Sequence, residues 1–490
     1  MTASAPPARS GAIVAVLAGA GIVASLMQTL VVPLIGELPR LLHTSSANAS
    51  WVITATLLTG AVATPVIGRL GDLHGKRRLL LICVGLLVAG SLVCAVSDTL
   101  VPMVIGRALQ GIGMGIVPLG ISTMRDVVAP ERMGTSVALM SSSLGIGGAL
   151  GLPLSAAIAQ NTDWHVLFWG SAGVSALAGL AVALRVPHVP PVARGRFDVP
   201  GAVGLAAGLV CLLLAVSKGA EWGWGSGTTL GLFGASAVVL LGWGWFELRT
   251  DDPLVDLRTT ARRPVLLTNT ASVVVGFAMY AQSLIAPQLL QLPEALGYGL
   301  GQSMLAAGLW MAPAGLVMMA FSPLGAKLSA HSGPRASLLT GALIIALGYA
   351  LALPLMDSAP GILVFCCVIS VGVAFAYGAM PAIIMAAVPR SETAAANGFN
   401  SLTRSVGISV SSAIVGVVLA QMSTTVGGYT VPTQDGFRVA FVISAAVAVL
   451  AALLTLAIPR RTALLPAAPS DADTGTGTGT AAETAPSPAG

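Results

Sequence analysis

Long apolar runs separated by short polar turns dominate this chain of 490 residues. A helix needs about 20 apolar residues to cross the hydrocarbon core of a bilayer. The runs that reach this length cover residues 12–36, 51–69, 79–97, 101–122, 134–159, 165–185, 200–217, 228–247, 264–290, 302–325, 335–355, 360–388, 396–421 and 437–458. This pattern predicts an all-α polytopic membrane protein with fourteen spans.

Composition supports a membrane protein and argues against other classes. The chain is 55% hydrophobic and 9% charged, whereas soluble domains carry about 25% charged residues. The net charge of +5 comes from cations in separate loops rather than from one patch, so we expect no nucleic-acid partner. We also expect no enzyme, cofactor or metal site, since no phosphate-binding loop, catalytic triad or metal-ligand spacing is present. The five cysteines all fall in apolar runs.

Loop charges predict the orientation. With both termini in the cytoplasm, the inner loops and tails hold 19 of the 24 lysines and arginines, and the outer loops hold only Arg40, Lys218 and Arg438. Lysine and arginine concentrate in cytoplasmic loops. We therefore expect a multi-pass protein of the inner (plasma) membrane, in contact with the lipid bilayer.

An internal repeat predicts two bundles. The glycine-rich basic turn Gly68–Arg78 is echoed by Gly325–Arg335, with Ser329 in the place of Asp72. Parallel repeats about an axis along the membrane normal are typical of transporters, which bind substrate between the halves. The predicted units are an N-tail (1–11), a first six-helix bundle (12–185), a linker (186–263) with two inserted spans (200–217 and 228–247), a second bundle (264–458) and a disordered cytoplasmic tail (459–490).

Three motifs in order resemble the major facilitator superfamily, in particular its fourteen-span drug:proton antiporter branch. Gly68–Arg78 resembles the signature between the second and third helices, with Gly71 in the alanine place. Gly106–Gly113 resembles the Arg-x-x-Gln-Gly signature of the fourth helix, and Gly145–Pro153 resembles the antiporter signature of the fifth.

This resemblance implies a major facilitator fold and a secondary active exporter of hydrophobic or cationic organic compounds, such as drugs and antibiotics, driven by protons. One position departs from the family. The first helix of the family usually carries Leu-Asp-x-Thr, where Asp takes part in proton or cation handling, and this chain has Met27 in the place of that Asp.

The predicted coupling and gating residues combine charge with glycine. An arginine within a span is costly to bury and usually faces a cavity or a partner. Asp72 can hold a neighbouring helix end in one conformational state. The set is Arg107, Asp72, Gly68, Gly71, Gly75, Gln110, Glu37 and Arg404, with Gln28 and Glu37 on the first helix expected beside Arg107. For Arg404, the functional and the purely structural interpretations both remain open.

Polar and polarizable side chains within spans predict the substrate cavity, because buried amides need partners or water. They are Gln28, Tyr280, Gln282, Gln288, Met311, Tyr377 and Asn400; a lipid-facing or core role remains open for Met311. The antiporter-motif helix carries Gly145, Gly147, Gly148, Gly151 and Pro153. By resemblance, this helix presents one face to the opposite half and closes one side of the cavity.

Two alternatives remain open for function. The absence of an acidic residue deep in any span favours a facilitator or an exporter driven by the membrane potential. A substrate sensor on a transporter fold is the other. In every case we expect small-molecule substrates and a monomer, with protons as the coupled ion under the first interpretation.

Overall fold

The computed structural model describes residues 7–34, 37–191, 193, 195–426 and 429–459. Among these residues, fourteen helices are long and apolar enough to cross a membrane. They are α1 (Pro7–Thr29), α2 (Trp51–His74), α3 (Lys76–Ala95), α4 (Leu100–Val127), α5 (Pro130–Asn161), α6 (His165–Arg185), α7 (Val199–Trp222), α8 (Gly227–Glu247), α9 (Arg263–Gln291), α10 (Met304–Ser332), α11 (Pro334–Leu355), α12 (Ala359–Ala387), α13 (Thr393–Gln421) and α14 (Gln434–Leu456). The fourteen-span prediction is confirmed.

The connections between the long helices contain only short elements. Short helices cover Leu38–Leu41, Ser46–Ala49 and Leu257–Thr260. Tight 3-10 turns cover Val32–Leu34, Gly113–Gly115 (within α4), Glu294–Leu296 and Arg390–Glu392. Strands β1 (Ser423–Val426) and β2 (Tyr429–Pro432) form an antiparallel hairpin between α13 and α14, with Ser423 opposite Pro432. Because the connections are this short, consecutive helices run in opposite directions.

Two separate hydrophobic cores organise the helices into halves. One core joins α1 to α6, from Ile13 to Val186, with only Met385 and Ala394 added from the second half. The other joins α9 to α14, from Ala271 to Ile458. This is the predicted pair of six-helix bundles.

The inserted helices lie against the groove between the two bundles. Leu205, Leu209 and Leu213 of α7 share a core with Ala61 of α2 and Leu402 of α13. At the far end of α7, the Lys218 ammonium binds Ser50 and Glu221 and lies 5.0 Å from the centre of the Trp51 ring, so α7 is fixed to the start of α2. Helix α8 packs on α7, and most of its remaining surface is exposed.

The first span differs from its prediction. Helix α1 begins at Pro7, earlier than position 12, and ends at Thr29 rather than near position 36. Pro33 lacks the N–H group that a continuing helix needs, and a 3-10 turn replaces the helix there. The tail predicted to be disordered lies almost entirely outside the described residues, which end at position 459.

Candidate functional site

The face that carries Gly68–Arg78, here called the basic face, is closed by bonds between the two halves. The Asp72 carboxylate, only 3% exposed, accepts hydrogen bonds from Ala394 N at 3.0 Å and from Ala395 N at 3.0 Å. These N–H groups belong to the first turn of α13, whose unpaired donors and positive dipole end favour a carboxylate. We call this contact the Asp72 latch.

The sequence around Asp72 allows the close approach that the latch requires. Gly68 faces the carbonyl of Ala394, and a Cβ at position 68 would lie 2.5 Å from that oxygen. Gly71 faces Leu119 of α4, and Gly75 ends α2 with a φ of +94°, a backbone conformation that glycine adopts readily. The structure therefore brings the predicted residues Gly68, Gly71, Asp72 and Gly75 into one joint.

The structure shows further contacts at the basic face that the sequence did not predict. Arg125, near the end of α4, donates hydrogen bonds to Thr393 Oγ1 and, at 3.4 Å, to Val388 O in the second half. Lys76 Nζ lies 2.6 Å from Asp126 Oδ2 and 3.9 Å from Asp72 Oδ1. No sequence signal separates these charges from the other cations and anions of the basic loops.

The repeat of the basic turn has no second latch. Ser329 stands where Asp72 stands in the first half, and its hydroxyl makes no hydrogen bond within the described part of the chain. Helix α5 begins at the position equivalent to the start of α13, and Ala129, the residue before it, has no polar side chain to cap its N-terminus. The two halves are thus related in backbone and different in charge.

Arg107 lies within a closed shell of acceptors in the first half. It is 1% exposed, and it donates to Met27 O at 2.7 Å, Val52 O at 3.1 Å and Gln110 Oε1 at 2.7 Å. Gln110 in turn donates to Ser91 Oγ at 2.8 Å. The predicted pair Arg107 and Gln110 is therefore in contact and ties α1, α2, α3 and α4 together. In this conformation, Arg107 faces protein rather than a cavity.

The expected neighbours of Arg107 on the first helix are elsewhere. Glu37 lies outside α1, and its side chain is 58% exposed in an ion pair with Arg40. The prediction that placed it on the helix beside Arg107 is wrong, because α1 ends before Pro33. Gln28 is on α1, but it donates to Met114 Sδ at 2.9 Å rather than meeting Arg107.

A second polar cluster lies in the interior of the second half. The Arg404 guanidinium is 4.9 Å from the centre of the Tyr377 ring, and it donates to Ser401 Oγ at 3.2 Å. Tyr377 donates its hydroxyl to Met279 Sδ at 3.0 Å. Asn400, one turn before Arg404, is buried and donates to Asn269 Oδ1 and Ser272 Oγ. Arg404 and Tyr377 are thus in contact, and Asn400 lies one turn away on the same helix; Asn269 and Ser272 were missed.

The remaining cavity candidates do not converge on one point. Gln282 approaches Cys366 O at 3.5 Å, and Gln288 donates back to Leu284 O of its own helix. Tyr280 lies near Ser412 of α13 and one turn from Gly276, which contacts Arg404. Met311 is half-buried against the core of the second half. Only Tyr280 extends the Arg404 cluster.

The glycines of the antiporter-motif helix face two directions. Gly145 and Pro153 of α5 contact Met318 and Gly308 of α10, in the opposite half. A Cβ at position 147 or 151 would instead meet α1, at Ser25 or Thr29, and one at Gly148 would meet open space. The expectation of a single face toward the other half is therefore correct for Gly145 and Pro153 only.

An additional cavity of about 360 Å³ lies at the basic face. Arg69, Asp256, Asn269 and Glu392 are among its lining residues, together with the segment that follows α8. It lies beside the Asp72 latch, and Asn269, the hydrogen-bond partner of Asn400, belongs to its lining.

Comparison with known proteins identifies this architecture. Residues 17–412 match the sequence family described as Major Facilitator Superfamily. The uncharacterised MFS-type transporter Rv1877 of Mycobacterium tuberculosis is 32% identical over 63% of this chain and 44% of its own length. Multidrug resistance protein 3 of Bacillus subtilis is 24% identical over 76% of this chain and 73% of its own. The lincomycin resistance protein LmrB of Listeria monocytogenes is 26% identical over 72% and 74%.

Solved structures agree on the fold. The human organic anion transporter MFSD10 superposes with a TM-score of 0.65 over 92% of this chain and 100% of that chain, at 16% identity. The chain spans less than half the length of the Mycobacterium tuberculosis relative.

Proposed function

The chain belongs to the Major Facilitator Superfamily and is therefore a multi-pass membrane transporter rather than an enzyme; from this premise we propose that it is a secondary active exporter of hydrophobic organic compounds, including drugs and antibiotics. The relatives named for drug and antibiotic resistance support this class of cargo. Both bundles come from one chain, so the proposed transport unit is a monomer. The observation that carries the proposal is the Asp72 latch between two separately packed halves.

The latch supports transport by alternating access. Two rigid bundles can rock about a central site only if the contacts between them are broken at one face and formed at the other. Asp72 and Arg125 bond across the halves at the basic face without merging the two hydrophobic cores. We infer that these bonds hold the closed state of the basic face, and the loop charges predict that this face is cytoplasmic.

We propose that export is coupled to proton entry, with Arg107 as the fixed charge that links proton and substrate occupancy. The family resemblance and the buried Arg107 shell support this assignment. The alternative is a facilitator or a carrier driven by the membrane potential. It is favoured by the positions of the acidic residues, because within the described long helices every Asp and Glu lies within three residues of a helix end: Asp72, Asp126, Glu131, Glu221, Glu247 and Asp435.

Transport in vesicles tests both proposals. The full chain in proteoliposomes is loaded with the neutral dye Nile red, and a pH difference is imposed while potassium and valinomycin hold the voltage at zero. Proton-coupled export predicts dye movement that needs the pH difference, and Arg107→Ala is expected to abolish it. Movement that follows an imposed voltage and ignores the pH difference would establish the alternative. Unchanged coupled export in Arg107→Ala would refute the role of Arg107.

A further inference from the structure

The interior of the second half holds a cation with free hydrogen-bonding capacity. Arg404 is the twelfth residue of the 29-residue α13, about 17 Å along a helix of about 43 Å. The bond to Ser401 is the only hydrogen bond that its guanidinium makes within the described residues, and no carboxylate there lies within ion-pair distance. The side chain is half-buried, and none of its nitrogens is both sealed in protein and unbonded. Its unbonded donors therefore keep some accessible surface.

Arg107, the other arginine deep in a span, offers no such opportunity. Three of its five N–H donors bond to two carbonyls and the Gln110 amide oxygen, and the residue is 1% exposed. A ligand could reach it only if that shell of acceptors broke. Arg404 is thus the charge in the membrane interior that a bound molecule can meet in this conformation.

The surrounding charges determine which ligand Arg404 favours. The acidic residues of the described long helices all lie near the helix ends, so none neutralises Arg404 from within the membrane. Charges interact strongly where water is scarce, because the effective dielectric constant is low. An organic cation would be repelled there, whereas an anion would neutralise the guanidinium.

Arg404 is also oriented for recognition. Its guanidinium lies against the Tyr377 ring, a contact that fixes the plane of the charged group. A guanidinium can donate two parallel N–H bonds to a carboxylate, which a lysine cannot do. Tyr280 of α9 lies one turn beyond Gly276, which faces Arg404, and its partly exposed side chain is the aromatic group that we assign to the apolar body of a ligand.

We propose that Arg404, with Tyr377 and Tyr280, binds amphipathic organic anions, in which an aromatic or aliphatic body carries a carboxylate or phenolate. The proposal names the substrate class of the exporter and in that respect rests on the function proposed above. It narrows the sequence expectation, which included organic cations. Neutral hydrophobic compounds remain compatible with the site because they leave Arg404 in contact with Tyr377 and water.

Equilibrium binding tests the charge preference without requiring transport. The full chain is purified in detergent, and fluorescence anisotropy is recorded for fluorescein (an anion at alkaline pH), rhodamine 6G (a cation) and Nile red (neutral). The variants are Arg404→Gln, Arg404→Lys and the control Arg263→Gln, an exposed arginine at the start of α9. Nile red binding also verifies that each variant is folded.

The expected result is a dissociation constant for fluorescein that rises about tenfold or more in Arg404→Gln, as for loss of a charge-assisted hydrogen bond. Arg404→Lys should retain part of the preference, and Arg263→Gln should match the native chain. Nile red should bind all four proteins alike. Equal fluorescein binding by the native chain and Arg404→Gln would overturn the proposal, as would a native chain that binds rhodamine 6G more tightly than fluorescein.

The two proposals can fail separately. If Nile red is exported in vesicles but fluorescein binding is indifferent to Arg404, the exporter stands and the anion site is wrong. If fluorescein binding depends on Arg404 but no dye crosses the membrane, the site stands and the exporter is wrong.

Discussion

Adding a single methyl group at Gly68 should open the basic face. In Gly68→Ala, the new Cβ would lie 2.5 Å from Ala394 O, 2.9 Å from Ala394 C and 3.1 Å from Ala395 Cα. Ordinary contact begins near 3.4 Å, and all three atoms belong to the backbone of α13, so no side chain can rotate away. Helix α2 must therefore move back from α13 in the closed state.

The free-energy cost of Gly68→Ala to the closed state has two sources, the steric overlap and the weakened Asp72 latch. Overpacking of this kind costs about 1–3 kcal/mol. The same displacement lengthens the Asp72 hydrogen bonds, which are 3.0 Å now, and each bond to a charged group contributes about 1.5–3 kcal/mol. A combined loss of about 2–4 kcal/mol from the closed state would shift its population relative to the open state by roughly 30-fold to 1,000-fold, at about 1.4 kcal/mol per tenfold.

Distances between spin labels measure this shift. Spin labels are placed at Arg78 and His331, which are both exposed at the basic face and belong to different halves. Double electron–electron resonance between them measures the separation of the bundles. Gly134→Ala is the matched control, because a Cβ at that position of α5 would have no neighbour within 4 Å. We expect a longer distance in Gly68→Ala only. If the distribution in Gly68→Ala coincides with that of the native chain, the closed-face interpretation is refuted.

Three further predictions test other contacts. Asp72→Asn removes the charge facing the α13 N-terminus, so the same label pair should show an open population raised about tenfold, and an unchanged population would contradict the latch. Gly315→Val places a side chain against Ala149 and should lower the thermal unfolding midpoint, whereas Gly416→Val, which meets open space, should lower it less. Lys218→Met removes the contacts to the start of α2 and should cost about 1–3 kcal/mol of unfolding free energy while Nile red export continues; lost export with intact stability would contradict a purely structural role.

Hydrophobic run length and loop charge were sufficient to predict the architecture. The fourteen spans and the two bundles were predictable because the bilayer sets the length of each helix and leaves few alternatives to a helix. The end of α1 was missed because Ile35 and neighbouring apolar residues continue the apolar run beyond Pro33. An apolar run reports affinity for lipid, whereas the helix end depends on backbone hydrogen bonding.

The site was predictable only where a motif sets local geometry. Asp72 and its glycines could be identified because a glycine-rich turn between apolar runs has few other uses. The Arg125 contact to Thr393 joins residues 268 positions apart, and no periodicity encodes such a pairing. Similarly, the glycines of α5 could be predicted as packing residues, but which helix each one meets depends on the arrangement of the bundles.

The Asp72 latch gives the transport cycle a preferred resting point. The state in which the basic face is closed gains a carboxylate bonded to a helix N-terminus, and Ser329, at the same face in the other half, adds no hydroxyl hydrogen bond in the described chain. If the basic loops are intracellular, the transporter without substrate should rest in the state that opens to the outside of the cell. The transition back to the state that opens to the cell interior would then be the slow step of each turnover. Bound substrate or coupling ion would act by accelerating that transition.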